Sequence, residues 1–186
     1  MTYSVKSMIT SRDTVPHSEE AMSRLEAIYH SEIWLRCMEE IELAEIDRIY
    51  CKHDFVHLID VARLAHIYSL EEGIQIDKDL IYAAALLHDI GRSQEYTDDI
   101  PHDKAGADIA EEILKKSPYS EEEREAIITA IRGHRGHDIA EDANALMENL
   151  AYVIKRADKE SRLCLICEAR DKCKWSDDKK NMRIKY

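Results

Sequence analysis

The stretch "YAAALLHDIGR" (residues 82–92) decides how the chain is read, because a compact apolar run delivers a histidine and an aspartate side by side and then breaks at Gly91. Moving an unpaired carboxylate out of water is very costly, so Asp89 needs a partner if this segment is buried. Asp77 is placed to cap the helix "KDLIYAAALLHDI", whose nearly all-round apolar character implies a central position. The partner for Asp89 therefore has to be sought in other segments.

Working outward, five glycines and three prolines leave few places to turn, and most of the chain reads at helical period. The expected fold is all-α, a single compact helical bundle. A first helix is expected after Ser18 as N-cap and a second over residues 31–50. A third runs through "HDFVHLIDVARLAHIYSLEEG" and stops at Gly73. "GRSQEYTDDIP" reads as a polar loop. Two further helices follow in "HDKAGADIAEEILKK" and "SEEEREAIITAIRGH", the latter with Ser120 before an acidic first turn. A last long helix is expected over residues 145–173. Residues 1–50 are then N-terminal helices packed on a core of residues 51–165, and residues 166–186 form a cysteine-containing extension, all within one structural domain.

At 186 residues the chain is long enough to bury a continuous core without metal or disulfide staples. The N-terminal residues lack an apolar stretch of signal-peptide length, and the run over residues 80–87 falls far short of the roughly 20 residues that span a bilayer. A cytoplasmic protein with no membrane partner is expected. Cys37, Cys51, Cys164, Cys167 and Cys173 are then free, buried or metal-bound rather than bridged. The formal net charge of -12 argues against binding a nucleic acid polymer, whose affinity comes chiefly from Lys and Arg, and no aromatic stacking stripe offsets it. A small phosphorylated substrate needs only local positive charge.

Nine histidines make any random pair uninformative, so position has to discriminate. His57 lies on one helix, His88 and Asp89 end another, His102 opens a third, His134 closes a fourth, and Asp158 sits on a fifth. Metal sites in helical proteins are assembled in this way, and imidazole plus carboxylate suits a borderline transition ion with open positions. His17, His30, His66 and His137 read as structural or solvated. His53 is one turn before His57 on the same face, where it either contacts substrate, supports a ligand, or is a polar residue at the helix start.

His57, then "HDIG" at residues 88–91, then Asp158, resembles the HD-domain superfamily of metal-dependent phosphohydrolases of the HDIG type. "PHDKAGA" at residues 101–107 and "IRGHRG" at residues 131–136 resemble the extra-histidine segments of binuclear members, and "RADKESR" at residues 156–162 the closing aspartate segment. The resemblance covers residues 52–162. It implies a divalent ion held by His57, His88, Asp89 and Asp158, and either a second completed by His102 and His134 with Asp89 able to bridge, or a single ion with these two histidines contacting substrate phosphate or the attacking water. It also implies cleavage of a phosphate ester or anhydride bond in a small molecule, with a nucleotide favoured, by metal-bound hydroxide. Asp89 orients or deprotonates the water, with Arg92 and His53 as further catalytic candidates. Arg92, Lys104, Arg135 and Arg162 are the candidate contacts to substrate. The ion stays open among iron, manganese, cobalt, nickel, zinc and magnesium. The substrate stays open among the deoxynucleotides, dinucleoside polyphosphates, cyclic dinucleotides and other phosphate esters that relatives handle, and a homodimer also stays open. The alternative is a regulatory domain that binds metal and nucleotide without turnover.

"CLICEARDKCKW" places Cys164, Cys167 and Cys173 together, and C-x-x-C has metal-ligand spacing. No second pair is evident, so buried apolar thiols are favoured over a structural metal.

Overall fold

The turn carrying His88 and Asp89 is held at its position by the helices that converge on it. The computed structural model describes residues 23–134 and 143–185, so the helix expected after Ser18 begins outside the described residues. The elements in chain order are α1 (Glu26–Tyr29), α2 (Glu32–Ala44), α3 (Phe55–Glu71), α4 (Lys78–Leu87), α5 (Arg92–Asp98), α6 (His102–Leu114), α7 (Glu121–Gly133) and α8 (Ala145–Glu160). Three single 3₁₀ turns follow, at Cys164–Ile166, Arg170–Lys172 and Asp177–Lys179. No strand occurs among the described residues, and the fold is all-α as the periodicity requires. Among the described residues no helix is long and apolar enough to cross a membrane.

The helix ends are chemically specified. Asp54, Asp77, Ser120 and Asn144 each accept a backbone N–H in the first turn of α3, α4, α7 and α8, and Ser120 with Glu123 forms a complete capping box. Gly73, two residues beyond α3, takes φ +68°, the left-handed conformation that a chain reversal needs and glycine adopts without strain.

Helix α4 is the centre of the bundle and packs against α3, α7 and α8. Leu80, Ile81, Ala83, Ala84, Ala85, Leu86 and Leu87 are all buried, which is what its all-round apolar sequence demands. Its C-terminal carbonyls need partners, and buried Trp34 of α2 supplies one by donating its indole N–H to Leu86 O at 3.0 Å. That bond ties α2 to the ligand-bearing turn.

Gly91 has an ordinary φ of −70°, so its role is space rather than backbone freedom. A Cβ there would collide with the carbonyl oxygen of His102 and the backbone of Gly106 in α6. Only glycine lets α6 approach the turn closely enough to bring His102 beside Asp89. Gly91→Ala is therefore expected to destabilise the protein by at least about 2 kcal/mol, measured by urea denaturation. A cost indistinguishable from zero would show that α6 can retreat freely.

Three expectations are corrected. The segment read as a polar loop over residues 91–101 contains α5, closed by Asp99 at φ 57°. The second helix ends at Ala44 rather than residue 50. The last helix ends at Glu160 rather than residue 173, where Asn181 Nδ2 donates to the carbonyls of Lys159 at 2.7 Å and Arg162 at 3.0 Å and Leu165 N–H bonds Asn181 O at 3.1 Å. The returning tail satisfies the terminal carbonyls that another helical turn would have used.

Candidate metal centre

Among the described residues, two groups of side chains offer ligand atoms within 4.8 Å of one another: His57, His88, Asp89 and Asp158, and then Asp89, His102 and His134. These are the six ligand positions read from the sequence, delivered by α3, the α4–α5 turn, α6, the end of α7 and α8. Asp89 belongs to both groups through different oxygens. Its Oδ2 lies 3.2 Å from His88 Nε2 and 3.5 Å from His57 Nε2, while its Oδ1 lies 3.5 Å from His102 Nε2 and 3.9 Å from His134 Nε2. Asp158 Oδ1 closes the first group at 3.4 Å from His57 Nε2 and 3.7 Å from His88 Nε2.

The histidine tautomers follow from the partners of the opposite ring nitrogens. His88 Nδ1–H donates to Ala85 O at 2.7 Å, His134 Nδ1–H to Ile131 O at 2.5 Å, and His102 Nδ1–H to Glu95 Oε2 at 2.8 Å. Each ring thus turns its Nε2 into the cluster, the arrangement by which outer partners prepare metal ligands. Burial pushes the His134 ring down to about 4 and lowers His102, with Arg92 adding to the effect at His102, so both are neutral near neutral pH. His88 goes the other way. Burial opposes its charge, but Asp89 and Asp158 outweigh burial and raise it to about 10. Burial likewise opposes charge on Asp89, yet His88 and Arg92 hold its carboxyl well below the usual range.

The donor set fits a divalent cation, and the buried atoms point the same way. His57 Nε2, His88 Nε2 and Asp89 Oδ2 are buried with no hydrogen-bond partner, which is expensive unless something absent from the protein chain satisfies them. In the second group, the Nε2 atoms of His102 and His134 face one another at 3.2 Å. With both Nδ1–H groups committed elsewhere, this is an approach of two lone pairs, which a shared cation relieves.

The other site residues read from the sequence are placed as follows. Arg92 does not project freely towards substrate: its Nε donates to Asp89 Oδ1 at 2.9 Å and its Nη1 to Glu95 Oε2 at 3.1 Å. Arg162 is similarly committed, with Nη2 donating to Asp158 Oδ1 at 2.8 Å. Lys104 is exposed and belongs to neither ligand group, being two residues past His102 and so on the other side of α6. Arg135 and His137 lie outside the described residues. The cysteines are all free thiols, of which Cys37 and Cys164 are buried, and none joins a ligand cluster among the described residues. The 3₁₀ turn at Cys164–Ile166 stands where the last long helix was expected to carry on through these cysteines.

His53 is buried beside the first group, with its Nε2 4.0 Å from Asp89 Oδ2. Its Nδ1 is 2.5 Å from the buried Glu45 carboxylate, which also accepts the His53 backbone N–H at 2.8 Å and the Tyr96 hydroxyl at 2.5 Å. Glu45, Tyr96 and Glu95 were missed in the sequence. Only Glu95 left a signal, as the i+3 partner of Arg92 had α5 been read as a helix.

Burial disfavours the Glu45 carboxylate, but these hydrogen bonds prevail and hold it at about 2, below the ordinary 4.5. A depressed carboxyl contributes stability that is full above its unfolded pKa and fades as pH falls through its folded one. The advantage of the wild type over Glu45→Gln, roughly 2 kcal/mol at neutral pH, is expected to shrink between pH 4.5 and about 2. Urea midpoints of the two proteins across that range check this. A gap independent of pH would contradict it.

The comparisons with known proteins agree with this geometry. The family model for the HD domain matches residues 54–163. An uncharacterized protein of Clostridium beijerinckii is 40% identical over 165 residues, spanning 89% of this chain and all of that protein. Ribonuclease Y of Acetivibrio thermocellus is 31% identical over 140 residues, and that of Clostridium kluyveri 31% over 139; this chain spans only a quarter of the length of either. The crystal structure of a predicted HD superfamily hydrolase from an uncultured Thermotogales bacterium superimposes with a TM-score of 0.57 at 22% identity, covering 83% of this chain and 82% of that one. With the family's motif residues gathered at one point and its model spanning most of the chain, the protein belongs to the HD-domain superfamily and has the fold of an HD superfamily hydrolase.

Proposed function

We propose that the protein is a metal-dependent phosphohydrolase that cleaves a phosphate ester or anhydride bond in a small molecule, and that its substrate is a nucleotide. The observation that carries this reading is the shared Asp89, one oxygen turned to each group of inward-facing imidazoles, with unpartnered buried donor atoms around it. A divalent ion bound there supplies charge neutralisation for the phosphoryl oxygens and acidifies a water molecule. His57, His88, Asp89 and Asp158 would hold it, and His102 and His134 would complete a second position with Asp89.

The chain's own residues supply the rest. Asp89 orients the attacking water, because it is the one carboxylate shared by both groups, with an oxygen turned to each. His53, its Nδ1–H given to Glu45, keeps an Nε2 lone pair near that oxygen and positions the same water. Arg92 and Arg162 lie against the two ligand carboxylates and are close enough to the centre to meet an incoming phosphate. Similarity to proteins named ribonuclease Y supports chemistry at a phosphodiester, while the net charge of -12 favours a small nucleotide over a polymer. Five free thiols accord with a reducing, cytoplasmic setting.

The test is elemental analysis of the purified protein, followed by a panel of mononucleotides, dinucleotides and simple phosphate esters assayed with each candidate ion. Metal-dependent release of phosphate or a nucleotide from at least one compound is expected. A metal-loaded protein that binds nucleotides and turns over none of the panel would instead favour the regulatory reading.

A further inference from the structure

The two oxygens of Asp89 differ in what they already hold. Oδ2, facing His57 and His88, has no hydrogen-bond partner. Oδ1 is the oxygen turned to His102 and His134, and it already accepts Arg92 Nε at 2.9 Å. Arg92 is pinned on its other side by Glu95 Oε2 at 3.1 Å, the same oxygen that accepts His102 Nδ1–H at 2.8 Å. Its side chain is only 17% exposed. A guanidinium is thus fixed against the carboxylate oxygen that serves the second position.

The first position differs. Arg162 lies against Asp158 Oδ1 there, but no guanidinium touches Asp89 Oδ2, the other carboxylate oxygen of that group. The first group therefore keeps one carboxylate oxygen clear of a guanidinium, and the second keeps none. In the second group an arriving divalent ion has to share Asp89 Oδ1 with a fixed positive charge, in a buried setting where like-charge repulsion is weakly screened.

Resting on the metal-centre reading above, we infer that Arg92 guards the second metal position, which fills only when a phosphate group draws the guanidinium off Asp89. In the resting protein one ion sits with His57, His88, Asp89 and Asp158, and Arg92 stands in for the second cation. An arriving phosphoryl oxygen offers Arg92 a bidentate partner and frees Asp89 Oδ1 for an ion held also by His102 and His134. The opposed Nε2 lone pairs of those two rings are kept ready, since each Nδ1–H is already donated elsewhere. Phosphate and the second ion then promote one another's binding by the same factor, as linkage requires.

The experiment is a titration of metal-free full-length protein with Mn²⁺, followed by calorimetry and electron paramagnetic resonance. The wild type is expected to bind one ion tightly and a second at least about tenfold more weakly, with the spectrum of an isolated ion at one equivalent. Arg92→Gln is expected to tighten the second ion by about tenfold or more, leave the first within about threefold, and give an exchange-coupled spectrum at two equivalents. Inorganic phosphate is expected to produce the same change in the wild type but no further gain in Arg92→Gln. Adding His134→Ala to Arg92→Gln should return the protein to one ion. If Arg92→Gln fails to fold, the phosphate response of the wild type decides alone. Two ions of equal affinity in the wild type, indifferent to phosphate, would overturn the inference, as would an unchanged second affinity in folded Arg92→Gln. In both cases the first ion still binds and the metal centre stands, whereas binding of no ion at all would overturn the metal reading and this inference together.

Discussion

Asp89→Ala is expected to lower turnover by at least about a thousandfold, roughly 4 kcal/mol of barrier, with little change in substrate affinity. The size follows from the number of roles that meet in one carboxylate. Its Oδ2 completes the first ligand group, its Oδ1 the second, and it is the atom pair between which water and phosphate would be aligned. Removing it also leaves Arg92 without its principal anion, so phosphate binding is expected to hold or improve while the chemistry fails. His134→Ala, which touches only the second group, is expected to cost less. Retention of wild-type rates by folded Asp89→Ala would remove the basis for the proposed chemistry.

The second large effect is on stability. Stripping the protein with a chelator is expected to abolish turnover and to lower the thermal midpoint, because Asp89 and Asp158 are then left in a buried cluster with unpartnered imidazole nitrogens. An ion that binds only the folded state stabilises it by about 4 kcal/mol at a thousand times its dissociation constant. For a domain of this size that corresponds to a midpoint rise of roughly 10 °C when Mn²⁺ is restored. Differential scanning calorimetry of stripped and reloaded protein measures it. A midpoint that ignores the ion would mean that the cluster is satisfied without one.

The convergence of the six candidate ligands was legible in the sequence for a physical reason: each stands at a helix end or on an apolar face where an unpaired polar group would be costly, and their order along the chain matches one family's pattern. Helix α4 was legible because its all-round apolar character has no other explanation than burial. What stayed hidden depends on contacts between distant residues. Helix α5 has no apolar period, and ion pairs of Arg92 with Asp89 and Glu95, along with packing against α2 and α6, accompany its helical form. The end of α8 is set by Asn181, more than twenty residues from the Lys159 carbonyl it satisfies. Glu45 lies in a run of similar acidic residues, and nothing local marks it as the one that grips His53. Arg92 was read from its place after "HDIG" as a candidate phosphate contact, but its partner in the structure was not, since pairing with Asp89 depends on the geometry of the turn.

Anomalous diffraction from crystals grown with Mn²⁺ tests the central claim most directly. The account predicts a strong peak enclosed by His57, His88, Asp89 Oδ2 and Asp158, absent from crystals of Asp89→Ala grown alongside. A map with no peak there, or with the ion elsewhere on the protein, would contradict it.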